Sequence, residues 1–383
     1  MNKEKIIIVG NDHANSIGLI HCLGAMGLYV IVVMWGRKTG LVKSSKYVRE
    51  LNTAADAKAC MQLIAEKYGQ LKETIVLFAG CDDAAVAMEE CRGLLPKNIV
   101  FQQTRGIYSL KDLDNKNLQV SIAAKSGFNV PKSWEIESKD IIPSDVVFPC
   151  IVKALVAREG SKADLLVCDN EESLKTNIEL VLSRNHKVQL QQYINKDFDY
   201  DMMGCRFQNG EIVTVCLKKL GIYPPKVGLA TVSETIITPV EILYAAKKYL
   251  EEINYYGIFD FEFMHSTDDD KNYFIECNLR NSGSNEFAFK AGINIPYAHY
   301  LDMIGEDYKR ALGDYHQGQH YIREMQYFKA LLKHTIPLKE VIKDLRKSDG
   351  CLTYDKRDRL PFYKQFIDLF LQILHLKKNV FYE

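Results

Sequence analysis

The stretch YGIFDFEFMHSTDDDKNYFIECNLR, Tyr256 to Arg280, constrains the fold more tightly than any other part of the chain. Apolar and polar residues alternate on both sides of a polar run, Ser266 to Asn272, whose acids no core accepts, so it predicts two strands and a turn. Alternate side chains of a strand point to opposite faces, which sets Asp260 and Glu262 against Phe259, Phe261 and Phe263. The same period puts Glu276, Asn278 and Arg280 on one face. A hairpin brings these faces together as a group of oxygen ligands beside one fixed cation. Hard divalent ions take such ligands and keep positions for water and phosphate oxygens. A solvated sheet face would present the same residues.

The chain opens with a strand, Lys5 to Val9, then helical periodicity from Ile17 to Met26 and a second strand, Leu28 to Met34. This βαβ unit favours a parallel sheet. Its loop GNDHANSIG lacks the G-x-G-x-x-G spacing, so a dehydrogenase is the least supported reading. The alternation continues with a helix near Ala54 to Tyr68, a strand Thr74 to Ala79, a helix Asp83 to Arg92 and a strand Asn98 to Phe101. Asp82 and Asp83 follow a strand's carboxyl end, where such sheets place ligands, although helix capping is the simpler account. His13 is a loop residue with the same ambiguity.

At 383 residues the chain has room for two or three domains. Lys plus Arg equals Asp plus Glu at 49 each, so no global field recruits nucleic acid or membrane. The ten cysteines are scattered singly and read as reduced core thiols. No leader-like segment is evident and no apolar run approaches the ~18 residues of a membrane span, which places the protein in a cytoplasm.

Beyond Ser109 a helix opens after Asp114 and ends near Gly127, with Lys116 in its first turn. Lys153 lies in the middle of the apolar strand Cys150 to Leu155, where an unpaired ammonium is costly to bury, so it needs an anionic partner. A charged loop, Val156 to Lys162, precedes the returning strand, Ala163 to Cys168. A helix, Glu171 to Ser183, leads to the strand VQLQQYI, Val188 to Ile194. Asn209-Gly210 predicts a tight hairpin. The segment Lys218 to Ile236, with prolines, glycines and lysines, reads as a long loop, and Lys218, Lys219 and Lys226 are its candidates for meeting a carboxylate. A helix, Val240 to Glu252, precedes the organising hairpin. The tail ends in an amphipathic stretch, Phe362 to Tyr382, for which packing on its own domain is favoured over a membrane or a partner.

FEF followed by FIECNLR resembles the closing motif of the ATP-grasp superfamily, an acidic residue and then E-x-N-x-R. Earlier elements occur in the family's order: D-x-K at Asp114 to Lys116, the P-x-x-x-K strand ending at Lys153, the hinge strand and an acidic segment KDFDYD. The resemblance implies an α/β and α+β chain: an N-terminal Rossmann-like parallel-sheet domain (1–108) followed by a two-lobed ATP-grasp domain (109–312) and a C-terminal helical extension (313–383). The nucleotide lobe would be about 132–194 and the catalytic lobe about 195–312. It further implies that Glu262, Glu276 and Asn278 hold Mg2+, with two ions expected and Mn2+ acceptable. Lys116, Lys153, Ser161 and Lys162 would meet the phosphates, and Gln191, Gln192 and Ile194 the adenine. Asp199 would meet the ribose, with Asp201 nearly as good a candidate, and Lys153 and Arg280 would stabilise the transferred group. The loop departs from the family pattern, since only Gly160 and Ser161 are small.

The expected activity is that of an ATP-dependent carboxylate-amine ligase acting through an acyl phosphate on small-molecule carboxylate and amine substrates. Two alternatives remain open: a bicarbonate-using carbamoyl-phosphate or carboxylase enzyme, and a non-catalytic ATP-binding switch. A homodimer is compatible with the sequence, which carries no readable oligomerisation signal.

Overall fold

The computed structural model describes residues 4–36, 40–155, 165–184, 187–224 and 228–374. Its first layer is a parallel five-stranded sheet formed by β1 (Lys5–Gly10), β2 (Tyr29–Met34), β3 (Val48–Thr53), β4 (Ile75–Ala79) and β5 (Ile99–Phe101), in the order β3-β2-β1-β4-β5. Helices α1 (Ala14–Gly24), α2 (Ala57–Tyr68) and α3 (Asp82–Glu90) connect the strands, as the alternation predicts. Strand β3 was not anticipated; its burial is only partial, so it lacks the apolar run that marks its neighbours.

A short strand β6 (Gln103–Thr104) and helix α4 (Lys116–Ser126) lead to a four-stranded antiparallel sheet. It contains β7 (Ser133–Ile136), β8 (Cys150–Ala154), β9 (Leu166–Cys168) and β10 (Val188–Gln192), with α5 (Glu171–Leu182) packed on one face. Asn115 caps α4 by accepting from the Asn117 and Leu118 amides, and Gly127 ends it at a φ of 101°.

The third sheet has eight strands. β11 (Lys196–Arg206), β12 (Ile212–Tyr223), β13 (Leu229–Ile236), β14 (Tyr255–Ser266) and β15 (Asn272–Asn278) pair antiparallel in the order β15-β14-β11-β12-β13, and β6 pairs with β14. The Asn209-Gly210 turn joins β11 to β12 as expected, with Gly210 at a φ of 82°. The predicted long loop from Lys218 to Ile236 is instead largely strand, because Pro224 lies just past the end of β12 and the ladder before it continues through irregularities at Gly221. Lys226 lies outside the described residues.

After α6 (Val240–Glu252), the β14–β15 hairpin has the predicted alternation: Phe259, Phe261 and Phe263 are fully buried against Phe128, Tyr249 and Phe274. Each contributes roughly 1.5–3 kcal/mol of transfer free energy, which locks the register and with it the opposite, polar face.

Helices α7 (Asn285–Lys290) and α8 (Ile295–Met303) follow. The tail is not only helical: β16 (His320–Ile322) and β17 (Ser348–Cys351) extend the third sheet beyond β13. Between and after them run α9 (Glu324–Leu332), α10 (Leu338–Lys347) and α11 (Leu360–Ile373). Where described, α11 packs on its own chain, with Phe366 against Phe328 and Gln365 donating to Thr353. No helix among the described residues is long and apolar enough to cross a membrane.

Candidate functional site

Strand register assembles the acidic side. Glu262 pairs across with Glu276 and with Asp201, and Asp260 pairs with Asn278, so all five project from one face of the third sheet. Lys219 reaches into this group from β12, its Nζ 2.7 Å from Asp201 and 3.1 Å from Glu262. Its charge is upheld by these two carboxylates against the cost of its burial. Lys218, on the opposite face, lies over the Phe198 ring instead.

This cluster holds more negative charge than its burial tolerates. Burial raises the Asp201 carboxyl to about 6, with Glu262 adding to the rise and Lys219 opposing it. Burial, Asp201 and Glu262 together push Asp260 well above the ordinary carboxyl range, opposed by Arg280. Among the described residues, one Asp260 oxygen and one end of the Asn278 carboxamide are buried without a hydrogen-bond partner. A cation placed here would favour the ionised carboxylates and give the Asp260 oxygen a partner, whereas the buried Asn278 nitrogen, a donor, calls for an acceptor such as a phosphate oxygen.

Among the described residues no group of three or more His, Cys, Asp or Glu side chains is placed to hold a metal ion. An open set of two carboxylates and a carboxamide is nevertheless what magnesium needs, because it retains waters and takes phosphate oxygens for its other positions. These donor types suit the ion, and Asp260 lies across from Asn278, beside the expected ligands Glu262, Glu276 and Asn278.

Arg280 stands at the edge of this group. Its Nε is 3.1 Å from Asp82 and its guanidinium 4.0 Å from Asp260. Although burial works against the charge, Asp82, Asp260, Glu276 and Glu262 hold it firmly protonated. Asp82 thus does more than favour a helix start: it sits in the first turn of α3, while Cys81 occupies the cap position.

The opposite side comes from the second sheet and α4. Lys153 is buried and donates to the Gln191 carboxamide oxygen at 2.9 Å, and Gln191 donates in turn to Ser133 at 3.0 Å. The anionic partner that its burial demanded is absent from its immediate contacts among the described residues; a neutral amide serves instead. Burial accordingly pushes the ammonium down to about 7, the neighbouring Lys116 adds to the fall, and Glu276 opposes it. Lys116 donates to the Ala154 carbonyl at 3.3 Å. The lysines on this side and Glu276 on β15 are related through α4.

Gln119 fixes that relationship. Its carboxamide accepts from the Cys277 amide at 2.8 Å and donates to the Cys277 carbonyl at 3.1 Å, tying α4 to the strand that carries Glu276 and Asn278.

The remaining predicted residues lie around this core. Gln192 is exposed, with its amide donating to the Lys132 carbonyl at 2.8 Å, and Ile194 is buried. Asp199 is engaged by Lys196 at 2.6 and 2.7 Å, whereas Asp201 belongs to the carboxylate cluster. Ser161, Lys162 and the rest of the Val156 to Lys162 loop lie outside the described residues.

One residue was missed. Arg323, at the junction of β16 and α9, donates to Ser284 at 2.7 Å and feels the charges of Asp201, Asp260 and Glu262. The signal available in the sequence was a lone cation directly after the apolar strand HYI. Arg323, Arg280, Lys219, Asp260 and Glu262 line a cavity of about 770 Å³, which also admits His13 and Asn15 from the first layer.

No protein-family model and no curated protein sequence matches the chain. Solved structures do. It is similar to an N5-carboxyaminoimidazole ribonucleotide synthetase in complex with ADP, at 14% identity and a TM-score of 0.63, covering 84% of this chain and 82% of that one. It is similar to an L-amino acid ligase from Bacillus licheniformis, at 15% identity and a TM-score of 0.61, covering 84% and 79%. It is also similar to the biotin carboxylase domain of Hydrogenobacter thermophilus 2-oxoglutarate carboxylase, solved with MgADP and bicarbonate, at 17% identity and a TM-score of 0.64, covering 84% and 74%. The chain has the fold of these three enzymes, a parallel sheet followed by antiparallel sheets, in keeping with the expected α/β and α+β architecture.

Proposed function

We propose that this chain is an ATP-dependent ligase that activates a carboxylate as an acyl phosphate and joins it to an amine, releasing ADP and phosphate. The observation that carries the reading is that α4, which begins at Lys116, is hydrogen-bonded through Gln119 to the backbone of the strand that carries Glu276 and Asn278, while Lys116 itself reaches the Ala154 carbonyl of the strand that carries Lys153. Two cations and a carboxylate cluster, brought together from separate sheets, are what a magnesium-bound triphosphate needs. The domains are read as 1–108, 109–312 and 313–383, with the last supplying Arg323.

In this reading Glu262, Glu276 and Asn278, with Asp260 beside them, would hold the magnesium, which when bound neutralises phosphate charge. Two ions are expected, and Mn2+ would substitute. Lys116 and Lys153 bind phosphate oxygens, and the anion restores the charge that burial suppresses on Lys153. Gln191, together with the backbone of Gln192 and Ile194, receives the adenine, and Asp199 the ribose. Ser161 and Lys162 are read as part of a phosphate loop.

Transfer to a carboxylate brings two anions together, so positioning and charge cancellation supply the catalysis. Arg280, held by Asp82 and Asp260, faces the transferred phosphoryl group. Arg323 orients the acceptor carboxylate from across the cavity. A carboxylate oxygen takes the γ-phosphoryl group as ADP leaves. The amine nitrogen then attacks the acyl carbon, phosphate departs, and the nitrogen loses a proton to give the amide. No protein nucleophile takes part.

The test is ADP release across panels of carboxylates and amines, with hydroxylamine added to trap the acyl phosphate as a hydroxamate. Glu276→Gln should lower magnesium-dependent turnover by about a hundredfold or more while the melting temperature holds. Unchanged turnover would remove the metal assignment. Tight ATP binding with no turnover under any combination would favour the switch.

A further inference from the structure

We infer that the acceptor acid is amphipathic: a carboxylate carried on a bulky apolar body, in place of bicarbonate or a short polar acid. This rests on the ligase reading above and names the substrate class of the same site.

The cavity of about 770 Å³ has two unlike ends. Near the carboxylate cluster it is charged, with Arg280, Arg323 and Lys219 in its lining. Its apolar lining comes from three separate parts of the chain: Tyr223, Leu229 and Ala230 at the β12–β13 hairpin, Leu332 at the end of α9, where Lys329 and Lys333 also line the cavity, and Leu369 on α11. A ligand site usually takes its orientation from a few polar groups and its affinity from apolar walls, in a volume of roughly 300–1,000 Å³. Bicarbonate would occupy only the charged end and leave the apolar wall wet.

The wall is not surplus core. Helix α9 buries Met325, Tyr327 and Ala330 on its anchored face, yet Leu332 remains 45% exposed where it borders the cavity. A large apolar side chain in that setting gains little until a ligand covers it. The C-terminal segment, where the motif resemblance fades, thus supplies both Arg323 for the carboxylate and Leu332 and Leu369 for the body behind it.

A competing feature is charge at the rim, where Lys329 and Lys333 would suit a second acidic group. The experiment separates the two. Hydroxamate formation is measured with ATP, magnesium, hydroxylamine and two matched pairs, acetate against 3-phenylpropionate and glycine against L-phenylalanine, together with succinate and L-glutamate. The apolar member of at least one pair should show a kcat/KM roughly ten- to a hundredfold above its short partner and above both diacids. Leu369→Trp, which fills the wall, should reduce that ratio severalfold or more, with ADP affinity reporting that the protein is folded. Equal or better rates for the short acids or the diacids overturn the amphipathic substrate while leaving the ligase chemistry standing. Hydroxamate from none of the acids, with ADP still bound, overturns the ligase reading and this inference with it. A Leu369→Trp protein that binds ADP and keeps the full ratio overturns the assignment of the wall.

Discussion

Lys153 carries a pH signature that can be worked from its surroundings. Burial, reinforced by Lys116 and opposed by Glu276, takes its ammonium from the ordinary lysine value of 10.5 down to about 7. At about 1.4 kcal/mol per tenfold change, the charged form is disfavoured by about 5 kcal/mol in the nucleotide-free protein. A phosphate placed against the ammonium reverses that preference. Above about pH 7 the free lysine is therefore mostly neutral and the bound one charged, so nucleotide binding must take up close to one proton. Rising pH withdraws that proton, and the logarithm of the ADP affinity should fall by nearly one for each pH step between about pH 7 and about pH 9. Calorimetry in buffers of different ionisation enthalpy measures the uptake directly. Lys153→Met should bind ADP more weakly at neutral pH and lose this slope. A wild-type slope no steeper than that of Lys153→Met, with no proton taken up, would refute the placement of phosphate beside Lys153.

Two further outcomes concern how the site is held. His21 lies 3.5 Å from both Glu286 and Asp358, and although burial works against its charge, these carboxylates raise it to about 9. Because the folded value exceeds the unfolded one of about 6.5, its contribution is complete below about pH 6.5 and is lost as pH rises through about 9; His21→Gln should cost roughly 3 kcal/mol in urea unfolding at the acid end and little at the alkaline end. A pH-independent cost would mean that the imidazole is not charged. Gln119→Leu leaves the Cys277 amide and carbonyl unpaired and should cost about 2–4 kcal/mol, while ADP affinity falls because Lys116 shares its helix. Full stability in that variant would show that Gln119 does not hold the lobes together.

The parts of the site readable from the sequence were those fixed by local rules. Period-two alternation separates Asp260 and Glu262 from the three phenylalanines, and burying the rings then leaves the acids no other face. Lys153 betrayed itself because an ammonium inside an apolar strand needs a reason to be there. The parts that local rules leave open, or in the case of Arg323 do not reach, depend on contacts between distant segments. Asp82 looks like a helix-start residue until Arg280 arrives from the far end of the β14–β15 hairpin. Lys219 looked like a loop lysine because Pro224 and the glycines around it suggested irregular chain, whereas its place among Asp201 and Glu262 follows from sheet register. Arg323 has no periodic neighbourhood at all; only the addition of β16 to the edge of β13 carries it to the cavity.

The central claim is that one triphosphate lies between Lys116 of α4 and Lys153 of the second sheet on one side and the carboxylates of the third sheet on the other. A crystal structure of the full chain with Mn2+ and a non-hydrolysable ATP analogue, with the metal located by its anomalous signal, tests it most directly. The account predicts manganese against Glu262, Glu276 and Asn278, with phosphate oxygens in contact with Lys116 and Lys153. Manganese away from those three side chains, or a nucleotide whose phosphates meet neither lysine, would contradict it.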